Sequence, residues 1–199
     1  MSKVIAIIPA RAGSKRLLGK NKKLLCGKPL ICWTIEEALK CDFIDNIIVS
    51  TNDKEIINIC VPYIERYYDR FKVIERPEVL CQDDTPMWKV IEHACLKYSM
   101  DTVVFLLQTT SPLRDITDLI VSYSMYLENG NCLVSVFNED LLHYKLNGAI
   151  YIGKLSYILI NNGFEARQLY IMPKERSVDI DTLDDFNECE RILKERDKV

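Results

Sequence analysis

The sequence is poor in histidine: His93 and His143 are its only two. No base partner or set of metal partners stands near either one, which argues against a histidine-based triad and against zinc. No apolar run approaches membrane-spanning length, so no membrane partner is expected. Met1-Ser-Lys leads straight into an apolar segment without a leader peptide, and a cytoplasmic location is expected. The eight cysteines (Cys26, Cys32, Cys41, Cys60, Cys81, Cys95, Cys132 and Cys189) are scattered singly, with no C-x-x-C pair. They read as small hydrophobes of a reducing compartment rather than as a disulfide framework. Charge of one sign is lacking too: 26 Lys and Arg face 29 Asp and Glu, a formal net charge of −3, with 48% hydrophobic residues. That composition excludes disorder and argues against a general nucleic-acid binder. There is no internal repeat, low-complexity stretch or dividing linker, so residues 1–199 are read as one domain with a full core.

What is present begins at Val4. Val4 to Ile8 is an apolar run of the kind shown by a strand buried on both faces. Directly after it come Arg11, Lys15, Arg16 and Lys20, spaced by Gly13, Ser14 and Gly19. Glycine lets backbone N–H groups approach phosphate oxygens, and Lys and Arg supply the counter-charge. A solvated basic loop is the plainer alternative; the position after the first strand favours phosphate. The loop is not a Walker A motif: five residues separate Gly13 from Gly19, and Asn21 stands where a magnesium-binding hydroxyl is needed. Nor does the chain contain Gly-x-Gly-x-x-Gly.

Further strands are expected at Asn46–Ser50, Phe71–Glu75, Thr102–Leu107, Leu133–Val136, Ala149–Ile152 and, at an edge, Leu169–Met172. Helices are expected after Gly27-Lys28-Pro29 with Pro29 first, after the capping run Thr51-Asn52-Asp53, and over Thr85–Tyr98, Ile116–Leu127, Leu155–Ile160 and Thr182–Lys198. In the last of these, Leu183, Phe186, Cys189 and Ile192 are expected to face inward. This alternation predicts an α/β fold with a mostly parallel, doubly wound sheet. Ligands of such sheets bind beyond the carboxyl ends of the strands. Three loops then share one rim: Arg11–Asn21, Thr51–Asp53 and Gln108–Arg114. Asp179-Ile180-Asp181 is a further candidate. On an extended segment both carboxylates project together while Ile180 turns to the core, a pair of hard ligands suited to Mg²⁺. The alternative is that Asp181 or Thr182 caps the last helix.

Arg11-x-x-Ser14-Lys15-x-x-x-x-Lys20-Asn21 resembles the signature of the cytidylyltransferases that activate sialic-type sugar acids, the acylneuraminate, legionaminate and pseudaminate enzymes. Leu18 stands where that family usually has proline. The resemblance extends to Arg76-Pro-Glu-Val-Leu80-Cys-Gln-Asp83, to Gln108-Thr-Thr-Ser-Pro-Leu-Arg114 with Thr109 for the usual proline, to Asn147-Gly-Ala-Ile-Tyr151-Ile, and to Ser177-Val-Asp-Ile-Asp181-Thr. It covers Ile5 to Glu195. It implies the Rossmann-like fold of nucleotide-diphospho-sugar transferases and transfer of CMP from CTP to a nonulosonic acid, with release of pyrophosphate.

By resemblance, Arg11, Lys15, Lys20 and Asp181 are catalytic. Arg11, Gly13, Ser14, Lys15, Asn21, Arg76 and Asp83 bind the nucleotide, with Arg76 and Asn21 reading cytosine. Gln108, Lys145, Tyr151 and Phe164 face the sugar, and Asp179 and Asp181 hold Mg²⁺. Met87 replaces a serine that some relatives use near the nucleotide, and Glu165 replaces a second aromatic. Relatives form homodimers through a long insertion after Val136; here the segment is only about 137–146, which is expected to weaken the dimer. The related CMP-Kdo synthetases are the nearest alternative, but the Ser14-Lys15 and Lys20-Asn21 pairs favour the sialate branch. A CTP-binding relative impaired by the short segment is the other.

Overall fold

The computed structural model describes residues 2–139 and 143–196. Part of the shortened 137–146 segment therefore lies outside the described residues, as do residues 197 and 198 of the expected last helix. In chain order the elements are β1 (Val4–Pro9), β2 (Leu24–Leu25), β3 (Lys28–Pro29), α1 (Leu30–Leu39), β4 (Asn46–Thr51), α2 (Lys54–Arg66) and β5 (Phe71–Glu75). They continue with α3 (Met87–Ala94), β6 (Val103–Leu106), α4 (Ile116–Asn129), β7 (Leu133–Asn138), β8 (Tyr144–Lys154), α5 (Leu155–Ile160), β9 (Gln168–Ile171) and α6 (Leu183–Arg196).

Seven strands form one sheet in the order β5-β4-β1-β6-β8-β7-β9. Neighbours are parallel except where β8 runs antiparallel to β6 and to β7. The expected mostly parallel sheet is thus present, with one reversed strand inside it. Period-two burial explains the unbroken apolar runs. Val4, Ala6 and Ile8 join the core cluster on one face, which also takes Ile31 and Ile35 of α1 and Leu119 of α4. Ile5 and Ile7 join the opposite cluster, with Ile91 of α3 and Ile158 of α5. Each such side chain contributes about 1.5–3 kcal/mol by leaving water, and a strand covered on both faces has no position to give to a polar residue.

Several expected boundaries shift for local reasons. Cys26 and Gly27 both take positive φ, forming a two-residue turn that pairs β2 with β3. Pro29 is therefore an extended N-cap, and α1 starts at Leu30. The helix expected from Thr85 begins only at Met87, because Pro86 is extended and disfavours helical geometry at Thr85; it ends at Ala94. β8 starts at Tyr144, earlier than Ala149. Leu183 is exposed rather than inward; Phe186, Cys189 and Leu193 carry the buried face of α6. Among the described residues no helix is long and apolar enough to cross a membrane. Seven of the eight cysteines are buried, all but Cys26. Burial pushes the thiols of Cys41, Cys60, Cys95, Cys132 and Cys189 up to about 12.

One buried ion pair ties the carboxyl end of the chain to the sheet. Asp118 forms a reciprocal capping box with Asp115 at the start of α4. Its fully buried carboxylate also accepts from Arg176 Nε (3.0 Å) and Nη2 (2.7 Å) and from Tyr170 Oη (2.8 Å). Removing Asp118 leaves the partly exposed Arg176 with Asp115 at 3.5 Å, so the cost is that of the lost charge-assisted hydrogen bonds, about 1.5–3 kcal/mol. Asp118→Ala should lower the unfolding free energy in denaturant titration by about that much. A loss below about 1 kcal/mol, the value of an exposed pair, would contradict this reading of the brace.

Candidate functional site

β1, β4, β5 and β6 all end at one rim, and the chain leaves them into loops that enclose a cleft of about 530 Å³. Arg11, Ser14, Lys15, Arg16, Lys20, Asn21, Arg76, Asp83, Gln108 and Asp181 line it. Most of the residues singled out in the sequence thus meet in one cavity.

The basic loop is held by two carboxylates. Asp83 accepts from Arg11 Nη2 (2.5 Å) and pairs with Lys15 Nζ, and these cations hold its carboxyl below the usual range. Asp181 accepts from Arg16 Nη1 (2.7 Å) and Lys20 Nζ (3.2 Å). Lys20 Nζ also donates to the Ile180 carbonyl (2.5 Å). All four cations of the loop therefore face the cleft or its carboxylates. Gly13 (φ +82°) and Gly19 (φ +63°) supply the left-handed turns. Ala12 N donates to Asn52 Oδ1 (2.8 Å), which fastens the loop to the end of β4.

Asn21 is buried. Its Nδ2 donates to the Arg11 carbonyl (3.1 Å), and its Oδ1 accepts from Thr109 Oγ1 (2.6 Å). It braces the basic loop to the Gln108 loop. Arg76 is only 4% exposed. Its Nε and Nη2 donate to Ser50 Oγ (3.0 Å) and the Ser50 carbonyl (2.7 Å), and burial lowers its pKa. Arg76 also lines the cleft, so a guanidinium fixed in this way is available to a ligand there.

The Asp179-Ile180-Asp181 segment belongs to no helix or strand, and Ile180 is fully buried among Leu25, Leu30, Leu113 and Phe186. The capping alternative holds for Thr182 and not for the Asp181 carboxylate. Thr182 Oγ1 accepts from Asp185 N, and Asp185 Oδ2 accepts from Thr182 N, so these two close α6. The Asp181 carboxylate is left to the cleft. Asp179 lies at the other end, beside Thr110, Gln108 and Gly148. Burial raises its pKa; Thr110 and Lys20 oppose the shift, and Asp181 and Asp185 add to it.

Tyr151 and Phe164 pack together at 5.3 Å between ring centroids, next to Met87 in the core cluster on the α3 face. Burial pushes the Tyr151 phenol up, and the Asp179 charge adds to that. Tyr151 thus lies near Asp179, but Tyr151, Phe164 and Asp179 are not among the residues that line the cleft. Lys145 stands apart: it sits opposite Phe137 in the β7–β8 hairpin, pairs with Glu139 at 3.7 Å and does not line the cleft. The bond of Arg16 to Asp181, that of Asn52 to the basic loop and the place of Gly148 beside Gln108 could not be read from the sequence, because they are formed across 165 residues, 40 residues and a strand irregularity respectively.

A desolvated carboxylate opposes folding wherever it is ionised. Because the Asp179 pKa is raised in the folded state, its contribution is most favourable below the ordinary carboxylate value near 3.8 and is lost as pH rises through the folded value. Asp179→Asn should therefore melt higher than the parent at neutral pH without divalent cations, and the difference should shrink as pH falls toward that value. A lower melting point at neutral pH would show that the carboxylate stabilises its own surroundings.

The chain matches the cytidylyltransferase family model over residues 5–147. It is 34% identical to the N-acylneuraminate cytidylyltransferase of Escherichia coli O18:K1:H7, covering 93% of this chain and 51% of that protein. It is 31% identical to the CMP-N,N'-diacetyllegionaminic acid synthase of Legionella pneumophila, covering 96% of each. The chain thus spans about half the length of the acylneuraminate enzyme and nearly all of the legionaminate one. The second alignment runs over 229 positions, more than the 199 residues here, so that relative carries residues this chain lacks. Two solved structures share the fold: CMP:2-keto-3-deoxy-manno-octonic acid synthetase complexed with CTP (TM-score 0.69, 17% identity, covering 98% and 100% of the two chains) and the 4-diphosphocytidyl-2C-methyl-D-erythritol synthase of Anaerococcus prevotii (TM-score 0.74, 12% identity, covering 97% and 96%). A match over most of the chain, and relatives above 30% identity, make this chain a member of the cytidylyltransferase family.

Proposed function

We propose that the chain transfers CMP from CTP to a sialic-type, nonulosonic sugar acid. The anomeric hydroxyl oxygen bonds to the α-phosphorus, the bond from that phosphorus to the β-phosphate oxygen breaks, pyrophosphate leaves with the electron pair, and the hydroxyl proton is released to solvent. The observation that carries this reading is the composition of one cleft. Four cations and Gln108 line it, and Asp179, close to both Gln108 and Tyr151, links it to the Tyr151–Phe164 ring pair.

Phosphoryl transfer of this kind needs mainly positioning and charge stabilisation. Arg11, Lys15 and Lys20 neutralise the triphosphate and the leaving pyrophosphate, exchanging carboxylate partners for phosphate oxygens. Gly13 and Ser14 offer backbone and hydroxyl donors beside them. Arg76 reads the cytosine edge, and Asn21 and Asp83 hold the walls of that subsite. Gln108 donates to the sugar acid while Tyr151 and Phe164 bound its ring and acyl side. Lys145 reaches this end only by leaving Glu139.

The donor set suits Mg²⁺. Asp179 and Asp181 supply two hard oxygen ligands, the number this ion takes from a protein when phosphates complete its shell. The desolvation of Asp179 is the cost a bound cation would offset. When bound, Mg²⁺ would neutralise phosphate charge and orient the phosphate oxygens.

A homodimer fits the surface. Tyr144, Leu146, Leu169 and Ile171 are exposed, and strand register turns them to one face of β8, β7 and β9. A cytoplasmic location follows from CTP as the substrate.

Pyrophosphate release tests the reading. With Mg²⁺, CTP and a panel of nonulosonic acids and Kdo, turnover is expected with CTP and at least one nonulosonic acid, and not with ATP, GTP or UTP. Calorimetry should rank CTP above the other three nucleotides. Equal binding of ATP, or turnover with Kdo alone, would overturn the assignment.

A further inference from the structure

The site has one feature that the motif roles leave unassigned: an irregularity of β8 where it passes the cleft. Val134 of β7 pairs with Tyr151, but Val136 pairs with Leu146. The residues Asn147 to Ile150 therefore face the single residue Ser135, a bulge larger than the usual two residues against one. Its missing ladder bonds are replaced by side chains. Ser135 Oγ donates to Asn147 Oδ1 (2.6 Å) and accepts from Ile150 N (2.8 Å).

The bulge is also where the site's loops are fastened. Ser111 Oγ donates to the Asn147 carbonyl (3.1 Å), and Arg114 Nη1 donates to the Ala149 carbonyl (2.7 Å), which ties down the Gln108 loop. Asn147 Nδ2 donates to Ser177 Oγ (3.0 Å), which ties down the segment leading to Asp179. Asn147 is 1% exposed and Ser111 fully buried, so these bonds form away from water.

Gly148 sits at the crest with φ +69°. A Cβ there would stand 2.9 Å from Gln108 Oε1 and 3.5 Å from Asp179 Oδ2. The Gln108 amide thus occupies the space that a side chain at 148 would fill.

We infer that Gly148 is a positioning residue for the sugar-acid end of the cleft: the bulge and the missing Cβ together hold the Gln108 amide beside Asp179 at the depth a sugar acid needs. Gln108 is the group that touches substrate; Gly148 acts through it. The nucleotide end is built mainly on β1, β4 and β5 and meets the bulge only indirectly, through the Asn21–Thr109 bond and Asp179. Filling the crest should therefore separate the two ends of the site. The assignment rests on the cytidylyl-transfer reading above.

The test compares the parent with Gly148→Ala and Ser111→Ala, the second loosening the same loop without strain at a positive φ. CTP affinity by calorimetry and sugar-acid KM and kcat from pyrophosphate release are measured on the full chain, with thermal melts beside them. Both variants should bind CTP within about twofold of the parent. The sugar-acid KM should rise about tenfold or more for Gly148→Ala, the loss of one hydrogen bond to a charged group, and less for Ser111→Ala. A folded Gly148→Ala with unchanged sugar KM, or with CTP and sugar affinity falling together, would overturn the inference. Should Gly148→Ala not fold, an unchanged sugar KM in Ser111→Ala overturns it alone. A parent inactive with every acid would instead refute the functional reading itself.

Discussion

The burial of Ile180 is the interaction on which the chemistry end of the molecule depends. Its side chain fills the space between β2, α1 and α6, and its N–H donates to the Thr110 carbonyl at 2.8 Å. Its own carbonyl receives Lys20. One residue thus joins the carboxyl-terminal segment, the Gln108 loop and the basic loop. An apolar residue between two carboxylates can be buried only if the carboxylates go elsewhere, so the chain has no choice but to keep Asp181 at the cleft and Asp179 beside Gln108. α6 is capped independently by Thr182 and Asp185, and the brace of Arg176 on Asp118 fixes the approach from the other side.

The second constraint is electrostatic. Arg11, Lys15, Arg16 and Lys20 lie within ten residues of one another, and their mutual repulsion would splay an unsupported loop. Asp83 and Asp181 hold it closed. The Asp83 pairs and Arg16–Asp181 are open to solvent and screened by it, and Lys20 alone is largely buried. The pairs are strong enough to shape the loop and weak enough to yield to a polyphosphate with several oxygens in reach. The buried contacts differ in kind. Arg76 on Ser50, Asn21 between two loops and Arg114 under the Gln108 loop, its pKa pulled down to about 10 by burial, remain as scaffold while the surface pairs exchange.

How much of this was legible in the sequence follows from the range of each interaction. Val4–Ile8 and the apolar centre of Asn46–Ser50 were readable because strands buried on both faces allow few polar positions, while Phe71–Glu75, an edge strand with Lys72 and Glu75 exposed, was readable from Phe71, Val73 and Ile74; the extents of all three match the structure closely. The Ile180 pattern was readable because alternation is local. The reversal of β8 was not, since a short apolar run looks the same in either direction. The bulge was hidden because it depends on Ser135 and Ser177 reaching Asn147 from other segments. The pairing of Arg11 with Asp83 spans 72 residues and leaves no periodic trace. Lys145 was chosen by position in a shortened segment; nothing in the sequence could show that Glu139 would pair with it across the hairpin.

The most direct test of the account is a crystal structure of the chain with CTP and Mg²⁺. The expected result has the triphosphate against Arg11, Lys15 and Lys20, with Asp83 no longer holding both of its cations, and the cytosine beside Arg76. A nucleotide bound outside this cleft, or one whose phosphates point away from the basic loop while Asp83 keeps its pairs, would contradict it.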